Sequence, residues 1–461
     1  MKNVEIKGGA TAPNVSVLIT ALCAVILFSV MNAGMFQVAL PLLQQHFGLL
    51  PAEVSWVVTG YIVIYAIGSL IYGKLADKFA IRKLLLFGVS IFVVGSVLGL
   101  VAGWLDWSFG WIIVARVIQS AGASAVPATA MLIPSRFVAA EQRGKALGTI
   151  SSTVALGTGV GPLISGLITG YFGWPSLFLI SIGVVVMMPF LMRELPNESP
   201  RGTMIDGWGA SGIALAVAGV MLSISLKAPI YLVMSAVGIL LAIVVGRKHP
   251  MPFLPISIFK QFPQYAQALG GVFFAAATVF SVLIVMPLLL KEHYGFSPQQ
   301  IGMTMFPSAI IAALMGRYAG AQVDKRGSRV IVQFALVLLL LGYLFLASLS
   351  QVNIAFVVLG LLLVQFGFAW AQPALSKQVS VSVSSEKTGI AFGVFTLTTF
   401  MSGAIAGTVS TRLLTSWADG PVWDMSGVAM KSEYVWIFGI LAVMIGLALI
   451  VMSKTIVKNV R

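Results

Sequence analysis

Fourteen separated stretches of mainly apolar residues run through the chain, and they constrain its fold more than any other feature. They lie near residues 16–43, 53–73, 83–103, 111–134, 145–169, 174–192, 208–226, 228–246, 266–290, 299–322, 329–349, 353–375, 389–415 and 433–453. A helix needs about 20 such residues to cross the hydrocarbon core of a bilayer. Because lipid cannot hydrogen-bond an exposed backbone, each stretch is predicted to be helical. The pattern therefore predicts an all-α membrane protein with 14 spans.

The scarcity of charge excludes a soluble globular protein. Only 9% of the 461 residues are charged and the mean hydropathy is +1.00, whereas a soluble domain carries about 25% charged residues. A net charge of +14 would suggest nucleic acid in a soluble protein. Here the cations fall in short loops, so no nucleic-acid partner is expected. Three histidines and one cysteine offer no catalytic or metal-binding cluster, so we expect no enzyme, cofactor or metal site.

Lysine and arginine set the predicted orientation in the membrane. They concentrate in the loops after the even-numbered stretches: Lys74, Lys78, Arg82, Lys83, Arg136, Arg143, Lys145, Arg193, Arg201, Arg247, Lys248, Lys260, Lys325, Arg326, Arg329, Lys377 and Lys387. The loops after odd-numbered stretches hold few, namely Lys227, Lys291 and Lys431. Positive loops face the cytoplasm. We therefore expect a multi-pass protein of the cell membrane with both termini cytoplasmic.

A short charged loop occurs twice and indicates an internal repeat. GKLADKFAIRK, residues 73–83, follows the second stretch, and GAQVDKRGSR, residues 320–329, follows the tenth. Eight stretches separate Asp77 from Asp324, whereas two adjoining six-helix halves would give six. Two helices are therefore predicted to be inserted between two six-helix bundles. The predicted division is a first bundle at 1–207, the inserted pair at 208–250 and a second bundle at 251–461. Repeats of this kind are typical of transporters.

Three motifs resemble those of the major facilitator superfamily. The loop 73–83 matches its cytoplasmic signature, except that Ala80 replaces a glycine. RVIQSAGA, starting at Arg116, resembles a second signature, with Ser120 in place of a glycine. GTGVGPLISG, residues 157–166, resembles a motif of the antiporters in this superfamily. The overall pattern is similar to the fourteen-helix drug:proton antiporters, notably the Gram-positive tetracycline exporters. This resemblance implies a major-facilitator fold and export of amphipathic small molecules by proton antiport and alternating access.

Two groups of charged residues are candidates for coupling. Asp77, Lys78, Arg82, Asp324 and Arg329 are predicted to form a conformational latch, because a carboxylate can bind the N-terminus of a neighbouring helix. The alternative is a solvated turn that only sets orientation.

The second group is an intramembrane polar centre of Arg116 and Gln119, three residues apart on one helix face. An intramembrane arginine is expected to be functional, and the alternative is an arginine satisfied by backbone carbonyls.

Gly157, Gly161, Pro162 and Gly166 are predicted to allow close helix packing or bending, as small residues do in many membrane helices. Polar and aromatic residues within apolar stretches are candidates for lining a substrate cavity: Asn32, Gln37, Tyr61, Tyr65, Thr158, Phe306, Gln365, Trp370, Gln372, Thr398, Thr399 and Ser402. Any single one could instead contact lipid or pack within the bundle.

The acids leave the mechanism open. All fourteen fall in predicted loops, termini or helix ends. The tetracycline exporters have acids in the first, fifth and thirteenth spans, where this chain has Ala33, Thr158 and Gly403. One alternative is therefore an uncoupled or weakly coupled transporter of an endogenous metabolite or lipid, and another is a non-transporting sensor. We expect a monomer in the bilayer that binds a small-molecule substrate, with protons as possible partners.

Overall fold

The computed structural model describes residues 15–49, 51–54, 56–196, 206–225, 228–248, 257–296, 298–384, 387–417, 422–425 and 428–454. Its helices are α1 (Val15–Phe47), α2 (Pro51–Val54), α3 (Trp56–Leu75), α4 (Ile81–Trp104), α5 (Phe109–Ala123), α6 (Ala125–Phe137), α7 (Arg143–Phe172), α8 (Ser176–Ile182), α9 (Met188–Glu194), α10 (Gly207–Ser225), α11 (Tyr231–Lys248), α12 (Ser257–Gln261), α13 (Pro263–Tyr294), α14 (Pro298–Arg326), α15 (Ser328–Leu349), α16 (Ile354–Ser382), α17 (Thr388–Ser416) and α18 (Ser432–Lys454). Two 3₁₀ turns lie at Ala140–Gln142 and Gly183–Met187.

All fourteen predicted stretches coincide with helices, although three of them comprise more than one element. The second begins in α2 and continues in α3, the fourth consists of α5 and α6, which meet at Ser124, and the sixth consists of α8, a 3₁₀ turn and α9. Among the described residues, 11 helices are long and apolar enough to cross a membrane. The other three stretches correspond to α10 and α11, whose apolar parts are shorter, and to α14, which is long but carries glutamines near its start. Membrane helices are therefore found as predicted, and the count of fourteen spans stays a prediction.

The chain divides into two compact units. Unit 1 comprises Met1–Ala139, Leu156–Gln261 and Val383–Leu397, and unit 2 comprises Ala140–Ala155, Phe262–Ser382 and Thr398–Arg461. Each unit thus takes one short segment from the other half of the sequence. In both cases that segment includes the first turns of a helix, α17 in unit 1 and α7 in unit 2. The predicted boundaries near 207 and 250 stay a prediction.

The core of unit 1 is aromatic where α1 meets α8. Phe36 and Phe178 are fully buried with ring centroids 4.8 Å apart, and Met35 and Leu177 belong to the same cluster. In unit 2 the large buried side chains are the tyrosines Tyr265, Tyr343 and Tyr434. Lipid tails are as apolar as the side chains of these helices, so burial of apolar side chains gives little driving force for helix association in a bilayer. Close packing therefore contributes most of that association.

The inserted helices α10 and α11 show this kind of packing. A Cβ atom at Gly219 would lie 2.5 Å from the Ser235 nitrogen, and one at Gly238 would lie 2.4 Å from the Ala216 nitrogen. Only glycine permits such an approach of the two backbones. At the start of α10, Asp206 accepts a hydrogen bond from the Gly209 N–H at 2.7 Å and caps the helix.

The described residues contain one element that is not helical. Strands β1 (Val422–Met425) and β2 (Val428–Lys431) form an antiparallel hairpin in which Val422 pairs with Lys431 and Trp423 with Met430. The hairpin lies between α17 and α18, in a segment whose polar sequence favoured a loop. The all-α membrane fold is therefore confirmed in the described part of the chain, with this short hairpin confined to a loop.

Candidate functional site

Asp324, near the end of α14, binds the first turn of α7. Its carboxylate accepts hydrogen bonds from the backbone N–H groups of Gly144 and Lys145, each at 2.8 Å. These are the second and third residues of α7, whose N–H groups have no partner within their own helix. The Lys377 ammonium donates a further hydrogen bond at 2.5 Å. We call this arrangement the Asp324 junction. Its carboxylate is compensated by both a helix N-terminus and a lysine.

Asp77, just after α3, binds the first turn of α17 in the same way. The N–H groups of Gly389 and Ile390, again the second and third residues of their helix, interact with the carboxylate. Asp77 is only 8% exposed. The nearest arginine nitrogen, Nη2 of Arg136, lies 3.9 Å from Oδ1 and donates instead to the Ala76 carbonyl at 2.8 Å. We call this arrangement the Asp77 junction.

The Asp77 carboxyl lacks the close cation that Asp324 has, and burial dominates the pKa of Asp77. Burial raises the pKa of Asp77 to about 6, against the lowering effects of Lys74, Arg136 and the two N–H groups of α17. Among the described residues, Oδ1 has no hydrogen-bond partner. A carboxylate removed from water without full compensation favours its neutral form. Asp77 is therefore able to gain or lose a proton close to neutral pH.

Of the predicted latch residues, only the two aspartates make the helix contacts. The Lys78 ammonium lies 5.6 Å from the centre of the Phe79 ring, Arg82 is partly buried, and Arg329 is exposed. The cations at the junctions are Arg136 and Lys377, which the sequence marked only as orientation signals. Each ends the fourth predicted span of its own repeat, and that equivalence is the signal that could have found them.

The turns that follow the two aspartates differ in backbone conformation. Ala80, where the family signature has glycine, precedes α4 with φ −59° and ψ 131°, an extended conformation that any residue adopts. Its counterpart Gly327 precedes α15 with φ +85°, where glycine is favoured. The departure at Ala80 therefore follows from the shape of the first turn.

Glycines bring the helices of each junction into close contact. In the Asp324 junction, a Cβ atom at Gly144 would lie 2.5 Å from the Gly320 carbonyl oxygen and 2.5 Å from Oδ1 of Asp324. In the Asp77 junction, a Cβ atom at Gly389 would similarly collide with the Gly73 carbonyl oxygen and with Oδ1 of Asp77. In each junction one of the obstructing atoms is a backbone carbonyl oxygen. Neither glycine can therefore be replaced by a larger residue without a shift of the helices.

The predicted polar centre around Arg116 is buried in unit 1. Arg116 is 1% exposed, and its Nη1 donates to Oδ1 of Asn32 at 2.5 Å and to Oε1 of Gln119 at 2.6 Å. Its guanidinium lies between the rings of Phe36 and Tyr61, each 4.0 Å away, as favourable cation–π contacts require. Nε donates to the Val57 carbonyl, so the backbone also contributes.

Serines extend this network to other helices. Asn32 donates to Ser181, and Gln119 donates to Ser96 at 2.7 Å. Ser120, another departure from the family signature, donates to the Tyr61 carbonyl at 2.5 Å. In the described part of the chain Arg116 contacts no carboxylate, and its Nη2 has no hydrogen-bond partner. The centre is therefore a buried positive charge held by neutral groups.

Two glycines of the α7 motif pack closely against α1, and a third does not. A Cβ atom at Gly161 would lie 2.8 Å from the Met31 carbonyl oxygen, and one at Gly157 would lie 3.2 Å from the Val30 side chain, so both face α1 closely. Gly166 is exposed with nothing within 4 Å of such an atom, and it makes no close approach. The Pro162 side chain lies outside the described part of the structure.

The predicted cavity residues fall into buried and exposed groups. Asn32, Tyr61, Tyr65, Trp370 and Ser402 are buried, and Tyr61 stacks on Tyr65 with centroids 5.8 Å apart. Gln365, Gln372, Thr398 and Thr399 are partly buried. Gln37, Thr158 and Phe306 are exposed. The structure therefore leaves the candidates distributed over several helices.

Helix α16 of unit 2 has the highest concentration of unsatisfied polar groups. Six buried atoms in it have no hydrogen-bond partner among the described residues: Gln365 Oε1, Trp370 Nε1, Ser376 Oγ, Gln378 Oε1, Ser380 Oγ and Ser382 Oγ. The Trp370 ring also contacts Phe334, Tyr318 and Phe366 at centroid distances of 5.0, 5.7 and 5.7 Å. Unsatisfied buried polar groups are costly in a folded protein, so a row of them suggests water or ligand as partner.

Comparisons with known proteins agree on a family of transporters. The family model described as Major Facilitator Superfamily matches residues 22–408 and 268–459. Multidrug resistance protein Stp of Mycobacterium tuberculosis (strain CDC 1551 / Oshkosh) is 26% identical over 399 residues, covering 84% of this chain and 73% of that protein. Riboflavin transporter RibZ of Clostridioides difficile (strain 630) is 27% identical over 322 residues, covering 68% and 69%.

Solved structures share the fold. The human organic anion transporter MFSD10 (TETRAN) superposes with a TM-score of 0.70 at 16% identity, covering 95% of this chain and all of that one. The proton:xylose symporter XylE gives a TM-score of 0.66 at 16% identity, with 95% and 96% covered. The family match extends over most of the sequence, and the repeated loop and its junctions lie within it. The chain belongs to the Major Facilitator Superfamily of membrane transporters and is not an enzyme.

Proposed function

We propose that this transporter exports amphipathic small molecules by proton antiport, with Asp77 as the proton-binding group. The observation that carries the proposal is the Asp77 junction: a buried carboxyl with a pKa raised to about 6, bound to the first turn of α17. An aspartate with this pKa changes its charge within the range that a proton gradient across a cell membrane covers.

Loss of the proton would weaken the junction. Burial outweighs the nearby cations and the N–H groups of α17, so the closed junction favours the neutral carboxyl. A proton therefore binds more tightly there than at a solvated aspartate, and its loss favours an open junction. Because the junction joins the turn after α3 to a helix from the other half of the sequence, its opening would permit alternating access. The Asp324 junction keeps Lys377 close to its carboxylate, and we propose that it stays closed.

The substrate class follows from the buried groups of both units. Arg116 presents a positive charge without a carboxylate partner in the described part of the chain, which disfavours cationic substrates. The aromatic side chains around Trp370, together with the unsatisfied polar atoms of α16, suit flat molecules with a few polar groups. The relatives are named for multidrug resistance and for riboflavin transport. We therefore propose neutral, zwitterionic or anionic amphiphiles as substrates.

The remaining expectations form part of the same proposal. We place the protein in the cell membrane as a monomer, with fourteen spans and both termini in the cytoplasm. We also propose membership of the fourteen-helix drug antiporters that include the tetracycline exporters.

Transport in proteoliposomes with an imposed pH gradient tests the proposal. A panel of fluorescent amphipathic dyes should move against the proton gradient with wild-type protein. The Asp77→Asn variant should bind the same dyes and lose the dependence on the gradient. Asp106→Asn, which changes an exposed acid at the other end of α4, is the matched control and should behave like wild type. Dye movement that is equally gradient-driven in Asp77→Asn would exclude Asp77 as the proton-binding group.

One observation favours a second candidate, an uncoupled or weakly coupled transporter of an endogenous metabolite. The polar centre around Arg116 contains no acid in the described residues, whereas coupled transporters use embedded titratable groups. If the same proteoliposomes carry a metabolite at rates independent of the gradient, in both wild type and Asp77→Asn, this candidate replaces the first.

A further inference from the structure

The charged end of α4 lies beside an open apolar groove. The groove is lined by Leu75, Phe79, Lys83, Leu84 and Phe87 and encloses about 380 Å³. Phe79 and Phe87 are 39% and 60% exposed, and Lys83 is exposed. We propose that this groove binds an anionic phospholipid, with an acyl chain along the phenylalanines and the phosphate at Lys83.

The charge of the site has a defined arrangement. Lys83 is the third residue of α4 and Phe87 follows one turn later, so the cation lies at the helix end and the ring deeper along the same face. In the described part of the chain neither Lys83 nor Arg82 forms an ion pair. The Lys78 ammonium lies 5.6 Å from the centre of the Phe79 ring, which also lines the groove. Lys83 therefore lines the groove, and a second cation lies beside one of its rings.

The apolar lining distinguishes a lipid from a soluble phosphate. Free phosphate would gain from Lys83, but it would leave Phe79 and Phe87 uncovered. A phospholipid satisfies both parts, because its chain buries apolar surface while its headgroup meets cations at the depth of a helix end. Each lysine or arginine near an anionic membrane surface strengthens binding about fivefold.

Native mass spectrometry of the full-length protein tests this site. The protein is released from nanodiscs of phosphatidylcholine containing phosphatidylglycerol, and the lipids retained by each molecule are counted. Wild type should retain one phosphatidylglycerol in preference to phosphatidylcholine. Lys83→Gln should weaken that retention about fivefold, the contribution of one lysine, and Phe87→Ser should reduce retention of both lipids at this site. Lys291→Gln, which removes an exposed cation at the end of α13, is the control and should match wild type.

The alternative outcomes are distinct. Free glycerol phosphate should not displace the retained phosphatidylglycerol. If it displaces the lipid when both are at the same concentration, the groove binds a soluble phosphate and the proposal of a lipid site is wrong. Equal retention by wild type, Lys83→Gln and Phe87→Ser, each checked for a monodisperse gel-filtration profile, would overturn the proposal. Because retention is counted without transport, the result does not depend on the proposed export activity.

Discussion

The Asp77 and Asp324 junctions are built on the same plan and differ in how they balance charge. Asp77 lies just after α3 and Asp324 lies near the end of α14, and each binds the second and third residues of a helix from the other half of the sequence. Asp324 has a lysine nitrogen at 2.5 Å, whereas the closest arginine nitrogen to Asp77 is at 3.9 Å. The comparison teaches that two copies of a helix contact can keep the same backbone partners and differ in the cation that compensates the carboxylate.

Substitution of the junction cations should therefore give the largest difference in protein stability between the two junctions. Lys377→Met leaves a mostly buried carboxylate without its ion-pair partner, and such a loss costs about 3–5 kcal/mol. Arg136→Met should cost clearly less, because Asp77 can take up a proton once its charge is less compensated. Unfolding in detergent monitored by SDS titration compares the two variants. Equal losses would show that Arg136 and Lys377 act alike, against the geometry.

The pH dependence of stability should separate the aspartates next. The pKa of Asp77 is raised in the folded state, so the stabilisation by its neutral form is complete below pH 3.8 and is lost as the pH rises through about 6. The difference between the two pKa values corresponds to roughly 3 kcal/mol. Wild-type stability should fall between about pH 4 and pH 6 through this group.

The test is the unfolding free energy across that range. Asp77→Asn should flatten the profile, because an amide does not titrate. Asp324→Asn should lower stability through the loss of the Lys377 ion pair and keep the slope that Asp77 gives. A slope that survives in Asp77→Asn would place the titrating group elsewhere.

Glycine substitutions should affect both junctions alike. Gly144→Ala and Gly389→Ala each place a methyl group against a backbone carbonyl and a carboxylate oxygen. Overpacking of this kind costs about 1–3 kcal/mol. Thermal unfolding of the purified variants measures the loss, and Gly166→Ala is the control because a Cβ atom there meets nothing. If only one junction responds, the shared plan is incomplete.

The smallest effects should come from the turns. Gly327→Ala forces alanine into φ +85° and ψ 151°, a region that only glycine readily adopts, and should cost at least about 1 kcal/mol. Ala80→Gly should cost less than about 1 kcal/mol, through the greater freedom of the unfolded chain. Melting temperatures of the two variants report the difference. Tolerance of alanine at 327 would indicate that the second turn can adopt the conformation of the first.

Hydropathy was sufficient to locate the membrane helices, because the need to satisfy the backbone in lipid is local to each stretch. It did not reveal the hairpin formed by Val422–Met425 and Val428–Lys431, because each strand has only four residues and lies in a polar segment. The repeated loop identified Asp77 and Asp324. Their helix partners could not be predicted, because each pairing joins segments that are distant in sequence.

The polar centre was predictable in part, because two of its members lie close together on one helix. Arg116 and Gln119 share a helix face, and the structure places their side chains 2.6 Å apart. Asn32, which the sequence suggested only as a cavity residue, completes the centre from α1. Ser96 and Ser181 gave no sequence signal, because serine is common in membrane helices and bonds its own backbone there.

Infrared titration of the carboxyl groups tests most directly whether Asp77 binds the proton. Difference spectra between wild type and Asp77→Asn, recorded in nanodiscs from acidic to alkaline pH, isolate the absorption of the Asp77 carboxylic acid. That signal should disappear with a midpoint near the raised pKa of about 6. Asp324→Asn should leave the midpoint unchanged. A midpoint near 3.8, the ordinary value for aspartate, would contradict the assignment of proton binding to the Asp77 junction.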